Sequence, residues 1–237
     1  MSPSEALSET FVSPIRGLPA LAERRSFLPA LAASTVAALL FAAAAVPRLD
    51  FERAAGDAFD RAADASQATP HQREQALVSA RKAGAVREVG TALLGPSLAA
   101  LGAAAFLWLG LRVAGGRPGF PETFSVASYA LLPIALRTLL SIPAAFHRER
   151  IPVEDAGRLL PSSLGAFLPV DARGPLAGML HSVDLFSLWS VALCAVGMAA
   201  VARVSLRRAA TAAVVLWLGY VGVVKVALPS LAGGGAP

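Results

Sequence analysis

The sequence predicts an all-α polytopic membrane protein, a bundle of five transmembrane helices. Its 237 residues are 55% hydrophobic and 16% charged, whereas soluble domains carry about 25% charged residues. The apolar residues form long blocks that alternate with charged segments. A helix needs about 20 apolar residues to cross a bilayer core with its backbone groups bonded internally. The length of these blocks therefore disfavours a soluble fold.

The predicted organisation is a cytoplasmic N-terminal tail, residues 1–26, followed by a five-span membrane domain, residues 27–231. We expect the spans at about 27–46, 89–113, 124–146, 176–202 and 209–228. Residues 1–22 mix Ser, Pro and Glu with apolar residues, which favours a loose segment. Arg24 and Arg25 precede the first span and resemble a twin-arginine export signal, but the apolar run exceeds the roughly 7 to 15 residues of a signal peptide. A first transmembrane helix with a positive anchor is the favoured interpretation.

Residues 48–88 form a charged excursion with seven basic and seven acidic residues, and therefore a net charge near zero. Phe51, Ala55, Phe59 and Ala62 recur at helical spacing. The run from Thr69 to Gln72 has the pattern of a helix cap, with a proline at the first helical position and a capping-box glutamine. We expect two short helices joined near Thr69.

Basic residues near the span ends predict the orientation. An inside amino terminus and an outside carboxyl terminus place the main clusters in the cytoplasm, in a multi-pass protein of the bacterial inner membrane. These clusters are Arg16, Arg24, Arg25, Arg112, Arg117, Arg203, Arg207 and Arg208. The net charge is +5, but the basic clusters contain no interleaved aromatic residues. We therefore expect no nucleic-acid partner. The expected partners are the lipid bilayer and membrane or cytoplasmic proteins, including a second copy of this chain.

Arg137 is the most informative single residue, because a charge in the middle of a span costs about 2.5 to 3.5 kcal/mol and demands a partner. Arg137 lies nine residues before Phe146, and Asp184 lies eight residues after Leu176. At helical rise these distances are about 13 and 12 Å, which predicts similar depths. We therefore expect an intramembrane pair of Arg137 and Asp184, with His181 one turn away as a third member. The pair either locks the helix register or lines a polar route for a proton, ion or substrate.

Two prolines are expected to kink the third span. Pro133 and Pro143 each lack a backbone N–H, which frees carbonyl groups within a helix. Such kinks occur in transporters and also in bundles that transport nothing.

The sequence contains residue types that an intramembrane hydrolase would need, but no motif frames them. The candidates are Ser162, Ser163, Ser182 and Ser187 with His147 and His181. Neither a G-x-S-x-G elbow nor an H-E-x-x-H motif is present in the sequence. Cys194 is the single cysteine, and the three histidines are scattered. We therefore expect that the protein is not an enzyme and that it has no cofactor and no metal site.

Three stretches resemble the Yip1 domain family as it occurs in bacteria. Residues 119–133 read GFPETFSVASYALLP, a Gly-containing turn that leads into a span with an aromatic residue and an interior proline. Residues 184–190 read DLFSLWS and precede Gly197, similar to that family's entry to its fourth span. The Arg207/Arg208 turn before the last span fits as well. The resemblance covers residues 91–228 and implies a five-span domain with a cytoplasmic amino terminus.

The family resemblance and the lack of a catalytic motif favour a non-catalytic membrane scaffold or adaptor that organises membrane partners or lipid. In eukaryotes the family is associated with vesicle trafficking and Rab-type GTPases. The short amino-terminal segment has no motif for such a GTPase, so that partner is not expected. The alternative is a small transporter or channel subunit built around Arg137 and Asp184.

Overall fold

The computed structural model of the protein describes residues 3–60, 69–169, 172 and 174–223. Within these ranges every named element is a helix, which confirms the predicted all-α class. The chain forms two compact units. The first comprises residues 3–34, 96–136 and the described residues of 161–223, and the second comprises residues 35–95 and 137–160.

Four helical segments are long and apolar enough to cross a membrane. They are Leu28–Arg48, Pro70–Val113, Phe120–Phe146 and Leu206–Val223. The apolar helix Leu185–Val201 is shorter, with 17 residues. All five segments overlap the five predicted spans. The predicted end of the fifth span and residues 61–68 of the excursion lie outside the described residues.

The amino-terminal segment forms two helices, α1 (Pro3–Val12) and α2 (Pro14–Glu23). Leu18 and Leu21 of α2 are almost completely buried and belong to the hydrophobic core of the first unit. The expectation of a loose segment is therefore wrong over the described residues. The physical reason is that α2 gathers these leucines on one face, and an apolar face of this kind requires a partner surface.

The next helices are α3 (Leu28–Ala45), α4 (Phe51–Asp60) and α5 (Pro70–Val113). The predicted cap at Thr69 is confirmed, since its backbone N–H donates to Gln72 Oε1 at 2.8 Å and the Gln72 N–H donates to Thr69 Oγ1 at 3.3 Å. However, α5 is one helix of 44 residues, about 66 Å long at helical rise. The predicted second excursion helix thus continues into the second span, because hydropathy marks the membrane boundary and not the start of a helix.

In the second unit, α4 packs on the first half of α5. Gly84 of α5 leaves room for the ring of Phe51, because a Cβ atom at Gly84 would overlap this ring. Ion pairs at the surface join Arg81 to Glu52 at 3.4 Å and Arg73 to Asp60 at 2.9 Å. These contacts give the charged excursion a defined helical structure.

The third predicted span consists of α6 (Phe120–Ala130), α7 (Leu132–Leu140) and α8 (Ile142–Phe146). The breaks fall at Leu131 and Ser141, each two residues before a proline. Both prolines therefore lie in the first turn of a helix. Backbone N–H groups in this turn form no intrahelical hydrogen bond, so a proline there breaks none.

The last helices are α9 (Pro175–Ser182), α10 (Leu185–Val201) and α11 (Leu206–Tyr220). The predicted fourth span, 176–202, is therefore not continuous, because the helix breaks between Ser182 and Leu185. Three short 3-10 helices complete the described elements, Val46–Arg48, Val153–Arg158 and Leu164–Phe167. The core of the first unit lies where α2, α5, α6, α10 and α11 meet.

Candidate functional site

Helix α6 carries polar side chains into the core of the first unit. Ser125, Ser128 and Tyr129 are each at most 1% exposed, within a segment that is otherwise apolar enough to span a membrane. Buried polar groups destabilise a fold unless they form hydrogen bonds. Ser128 bonds to the carbonyl of Phe124, one turn earlier in α6. Ser125 and Tyr129 instead reach the amino-terminal segment.

Ser125 joins α6 to the end of α2. Its hydroxyl lies 2.6 Å from the backbone carbonyl oxygen of Ser26 and 3.2 Å from that of Leu21. The carbonyls at the end of a helix have no intrahelical partner and must be satisfied by other groups. The Leu21 carbonyl also accepts the N–H of Ser26 at 3.1 Å. Ser125 therefore gives the end of α2 a second donor and bonds the Ser26 carbonyl, from a helix about a hundred residues later in the chain.

The turn between α2 and α3 contributes two further contacts. Arg25 has a positive φ of 51°, a backbone conformation that ends helices and usually selects glycine. Its guanidinium forms a 3.0 Å ion pair with Glu122 in the first turn of α6. The hydroxyl groups of Ser26 and Tyr129 are 3.4 Å apart. We call this set of contacts, from Leu21, Arg25 and Ser26 to Glu122, Ser125 and Tyr129, the α2–α6 seam.

The seam is flanked by close helix packing. Gly197 of α10 faces Val126 of α6 so closely that an added Cβ atom would lie 2.5 Å from the Val126 Cγ1 atom. The rings of Phe11 in α1 and Trp189 in α10 meet edge to face at 5.3 Å. Trp189 lies 12 residues before the end of α10 at Val201, about 18 Å along the helix. Helix α2 also contacts α10, so the hairpin of α1 and α2 lies against α10.

The sequence did not predict the seam. A signal for it existed in Ser125, Ser128 and Tyr129, since buried polar residues in an apolar span require partners. Leu18 and Leu21, three residues apart in the segment predicted to be a tail, gave a second signal, because they place two apolar side chains on one face of a helix. Hydropathy alone does not join two segments so distant in the chain.

Asp184, a predicted member of the intramembrane pair, is the N-cap residue of α10. It is 2% exposed, and its carboxylate accepts hydrogen bonds from the backbone N–H groups of Phe186 at 3.0 Å and Ser187 at 3.1 Å. The Ser187 hydroxyl donates to the same carboxylate. Asp184 thus starts α10 rather than lying within a continuous helix, and the depth derived from residues 176–184 no longer applies.

His181 lies in the last turn of α9, beside the loop that holds Ser163. Its ring packs against Gly165, where no other residue would fit. The distance from the Ser163 hydroxyl to His181 Nδ1 is 3.5 Å, at the limit of a hydrogen bond. Ser163 also pairs with Asp184 through an isolated antiparallel bridge. His181, Ser163 and Asp184 are therefore brought together where the loop before α9 meets the start of α10.

Arg137 lies in the last turn of α7, between the breaks at Leu131 and Ser141. Its backbone carbonyl accepts hydrogen bonds from the N–H and the hydroxyl of Ser141, at 3.0 and 2.9 Å. Arg137 and Asp184 belong to different compact units, and their pairing stays a prediction. Among the described residues, no group of three or more His, Cys, Asp or Glu is arranged to hold a metal ion.

Comparison with known proteins gives a family match over most of the chain. The model of the Yip1 domain family matches residues 8–226, which include α2 and the entire α2–α6 seam. The chain is 27% identical over 126 residues to the membrane protein YknW of Bacillus subtilis (strain 168). This match covers 53% of the chain and 52% of YknW, so the chain spans about half the length of that curated relative. No solved structure matches the chain. Because the family match extends over most of its length, the chain belongs to the Yip1 domain family.

Proposed function

We propose that this protein is a non-catalytic integral membrane scaffold or adaptor of the Yip1 type, which organises membrane partners or lipid. The observation that carries the proposal is the α2–α6 seam. Its polar groups are engaged with the chain's own backbone and side chains: Ser125 with Leu21 and Ser26, and Glu122 with Arg25. Groups used in this way hold helices in register and are not available to bind a passing solute.

Asp184 supports the same proposal. Its carboxylate accepts hydrogen bonds from Phe186 and Ser187 and so caps the first turn of α10. Such a cap orients α10 and has no need of a transported ion. The proposed role of this buried acid is therefore structural.

The proposed orientation has the amino terminus in the cytoplasm and the carboxyl terminus outside, in the inner membrane. The turn between α5 and α6 carries Arg112 and Arg117, and the turn between α10 and α11 carries Arg203. The excess of basic residues at these turns favours the cytoplasmic side.

A purification from the native host tests the adaptor function. The full-length protein, tagged at its carboxyl terminus, is extracted in mild detergent, and the proteins retained at near-equal stoichiometry are identified by mass spectrometry. We expect a defined membrane or cytoplasmic partner that also retains this protein when it is itself tagged. Ser125→Ala, which loosens the seam, should reduce the partner's yield, whereas Ser8→Ala, at an exposed position of α1, should not. A protein that purifies alone, or only with itself, would contradict the adaptor function.

A small transporter or channel subunit is the second candidate. The observation that favours it is the broken helix around Arg137, because discontinuous spans with an intramembrane charge occur at transport sites. Flux of ions or protons into liposomes that contain the purified protein tests this candidate. Flux that Arg137→Ala abolishes without unfolding the protein would favour it over the adaptor.

A further inference from the structure

Two basic turns lie against each other in the first unit. One is residues 112–117, the end of α5 and the turn after it, and the other is residues 203–208, the turn after α10 and the start of α11. The backbone N–H of Arg117 donates to the carbonyl of Ala202 at 3.4 Å. An added Cβ atom at Gly116 would lie 3.2 Å from the Cβ of Ala202. The two turns, which we call the basic turns, therefore form one surface.

This surface carries five exposed arginines and no acidic residue. The arginines are Arg112, Arg117, Arg203, Arg207 and Arg208. In the described part of the chain none of them forms an ion pair, whereas Arg25 of the seam does. Like charges on one surface repel each other, and physiological salt screens this repulsion only beyond about 8 Å. The surface therefore favours a bound anion.

Arg203 provides an independent observation. It and Arg25 are the only described residues other than glycine that have a positive φ. Glycine is the usual choice in this conformation, because a side chain there strains the backbone. At Arg25 the side chain has a visible role, the ion pair with Glu122. At Arg203 the helix-ending turn sets the φ, since the Val204 N–H donates to the Ala199 carbonyl and the Arg203 N–H to the Ala200 carbonyl. The side chain at this position is nevertheless an exposed arginine and not the usual glycine, and it forms no ion pair with a described residue.

The position of the basic turns indicates which anion they bind. Four apolar helices end or begin here, at Val113, Phe120, Val201 and Leu206. The guanidinium of Arg112 lies 4.4 Å from the ring centre of Trp108, and tryptophan is enriched where a span meets the headgroups. A basic surface at this depth faces the phosphates of the adjoining leaflet.

We propose that the basic turns bind the phosphate groups of anionic phospholipids in the leaflet that surrounds them. The guanidinium groups donate hydrogen bonds to the phosphate oxygens, and the charges neutralise each other. A zwitterionic lipid binds less well, because its own cation offsets its phosphate. This site rests on the lipid aspect of the proposed function and gives it a residue-level basis.

The experiment uses the full-length protein with Trp189→Phe and Trp217→Phe, so that Trp108 is the single tryptophan. It is placed in phosphatidylcholine bilayers that contain brominated phosphatidylglycerol or, at the same mole fraction, brominated phosphatidylcholine. We expect the brominated phosphatidylglycerol to quench Trp108 more strongly. Arg203→Gly should lower this preference about fivefold, as expected for the loss of one arginine near a lipid surface. The thermal midpoint should stay unchanged or rise, since glycine relieves the positive φ.

A charge-matched control separates a site from a general effect of net charge. Arg81→Gln removes one exposed arginine that is ion-paired to Glu52, and it should leave the lipid preference intact. Equal quenching by the two brominated lipids in the parent protein would overturn the proposal. So would an equal loss of preference in Arg203→Gly and Arg81→Gln. If poly-glutamate but not phosphatidylglycerol alters Trp108 fluorescence, an acidic protein segment is the ligand and the lipid site is wrong. Failure of the lipid site in any of these ways leaves the adaptor function to be decided separately, by the purification from the native host.

Discussion

The hydroxyl group of Ser125 lies 2.6 Å from the backbone carbonyl oxygen of Ser26, 99 residues away in the chain. This bond joins the middle of α6 to the turn that follows α2. It holds the amino-terminal hairpin within the first unit, where Leu18 and Leu21 would otherwise leave an apolar face uncovered. The amino-terminal segment is thereby part of the membrane domain and not an appendage to it.

Ser125→Ala should release this hairpin. The Ser26 carbonyl loses its donor, whereas the Leu21 carbonyl keeps the backbone N–H of Ser26. An unsatisfied buried polar group costs about 1 to 3 kcal/mol. We expect limited proteolysis of the detergent-solubilised protein to cut within the first 26 residues faster than in the wild type. Ser8→Ala is the control, because its hydroxyl bonds only to the exposed Glu5 carbonyl. Equal cleavage of both variants would show that the seam bond does not hold the hairpin.

Gly197→Ala should destabilise the first unit. The new methyl group would lie 2.5 Å from Val126, and overpacking of this kind costs about 1 to 3 kcal/mol. The control is Gly219→Ala in α11, where the added carbon meets nothing within 4 Å. Thermal unfolding in detergent should give a lower midpoint for Gly197→Ala, and an unchanged or higher midpoint for Gly219→Ala. A similar midpoint for both would mean that α6 and α10 are not closely packed at this point.

The Arg25–Glu122 ion pair should contribute little to stability. Their side chains are 64% and 25% exposed, and pairs in contact with water are typically worth about 0.2 to 1 kcal/mol. A double-mutant cycle of Arg25→Ala and Glu122→Ala, read from chemical denaturation, measures the coupling directly. A coupling above about 2 kcal/mol would indicate a pair removed from water.

Substitutions at Asp184 should separate its two proposed roles. Asp184→Asn keeps a capping side chain, whereas Asp184→Ala removes the cap at a cost of about 1 to 2 kcal/mol. If Asp184 pairs with Arg137, Asp184→Asn and Arg137→Ala should not be additive in the free energy of unfolding. Exchanging the two residues is a weaker test, since an arginine at position 184 does not cap α10. Additive effects would rule out the pair.

The amino-terminal hairpin should be shielded from water by lipid. Phe11 contacts Trp189, which lies about 18 Å along α10 from the basic turns. The neighbouring Val12 is 81% exposed, that is, not covered by the rest of the protein. We expect Val12→Cys in native membranes to resist a charged maleimide and to react once detergent is added. Glu23→Cys, near the basic end, should react in inside-out vesicles without detergent. Rapid labelling of Val12→Cys in those vesicles would place the hairpin in water. Cys194 is buried, and a Cys194→Ala background removes any residual signal.

Several features followed from local sequence. Hydropathy located the five apolar segments because the length of a span depends only on consecutive residues. The cap at Thr69 was predictable for the same reason, since its partner Gln72 is three residues away. The structure has helix breaks at Leu131 and Ser141, each two residues before a proline, and proline restricts its own backbone and that of its neighbour; kinks at Pro133 and Pro143 stay a prediction.

Two other features were missed although neighbouring residues carried a signal for them. The break before α10 was missed because Val183 and Asp184 stand in an apolar stretch that reads as one span, whereas Asp184 caps α10 through bonds to Phe186 and Ser187, two and three residues later. The length of α5 was missed because the polar residues 70–88 were taken as a separate excursion. In both cases the local composition was compatible with more than one arrangement of helices.

The sequence by itself determined that this chain is an all-helical membrane protein of the Yip1 family, since span length, helix caps and family motifs are properties of neighbouring residues. The tertiary structure decided where the amino-terminal helices lie and which arginines share a surface. Ser125 meets Leu21 across 104 residues, and the basic turns meet through Arg117 and Ala202. Such pairings depend on how whole helices pack, because burial of apolar area and satisfaction of buried polar groups are optimised over the entire unit.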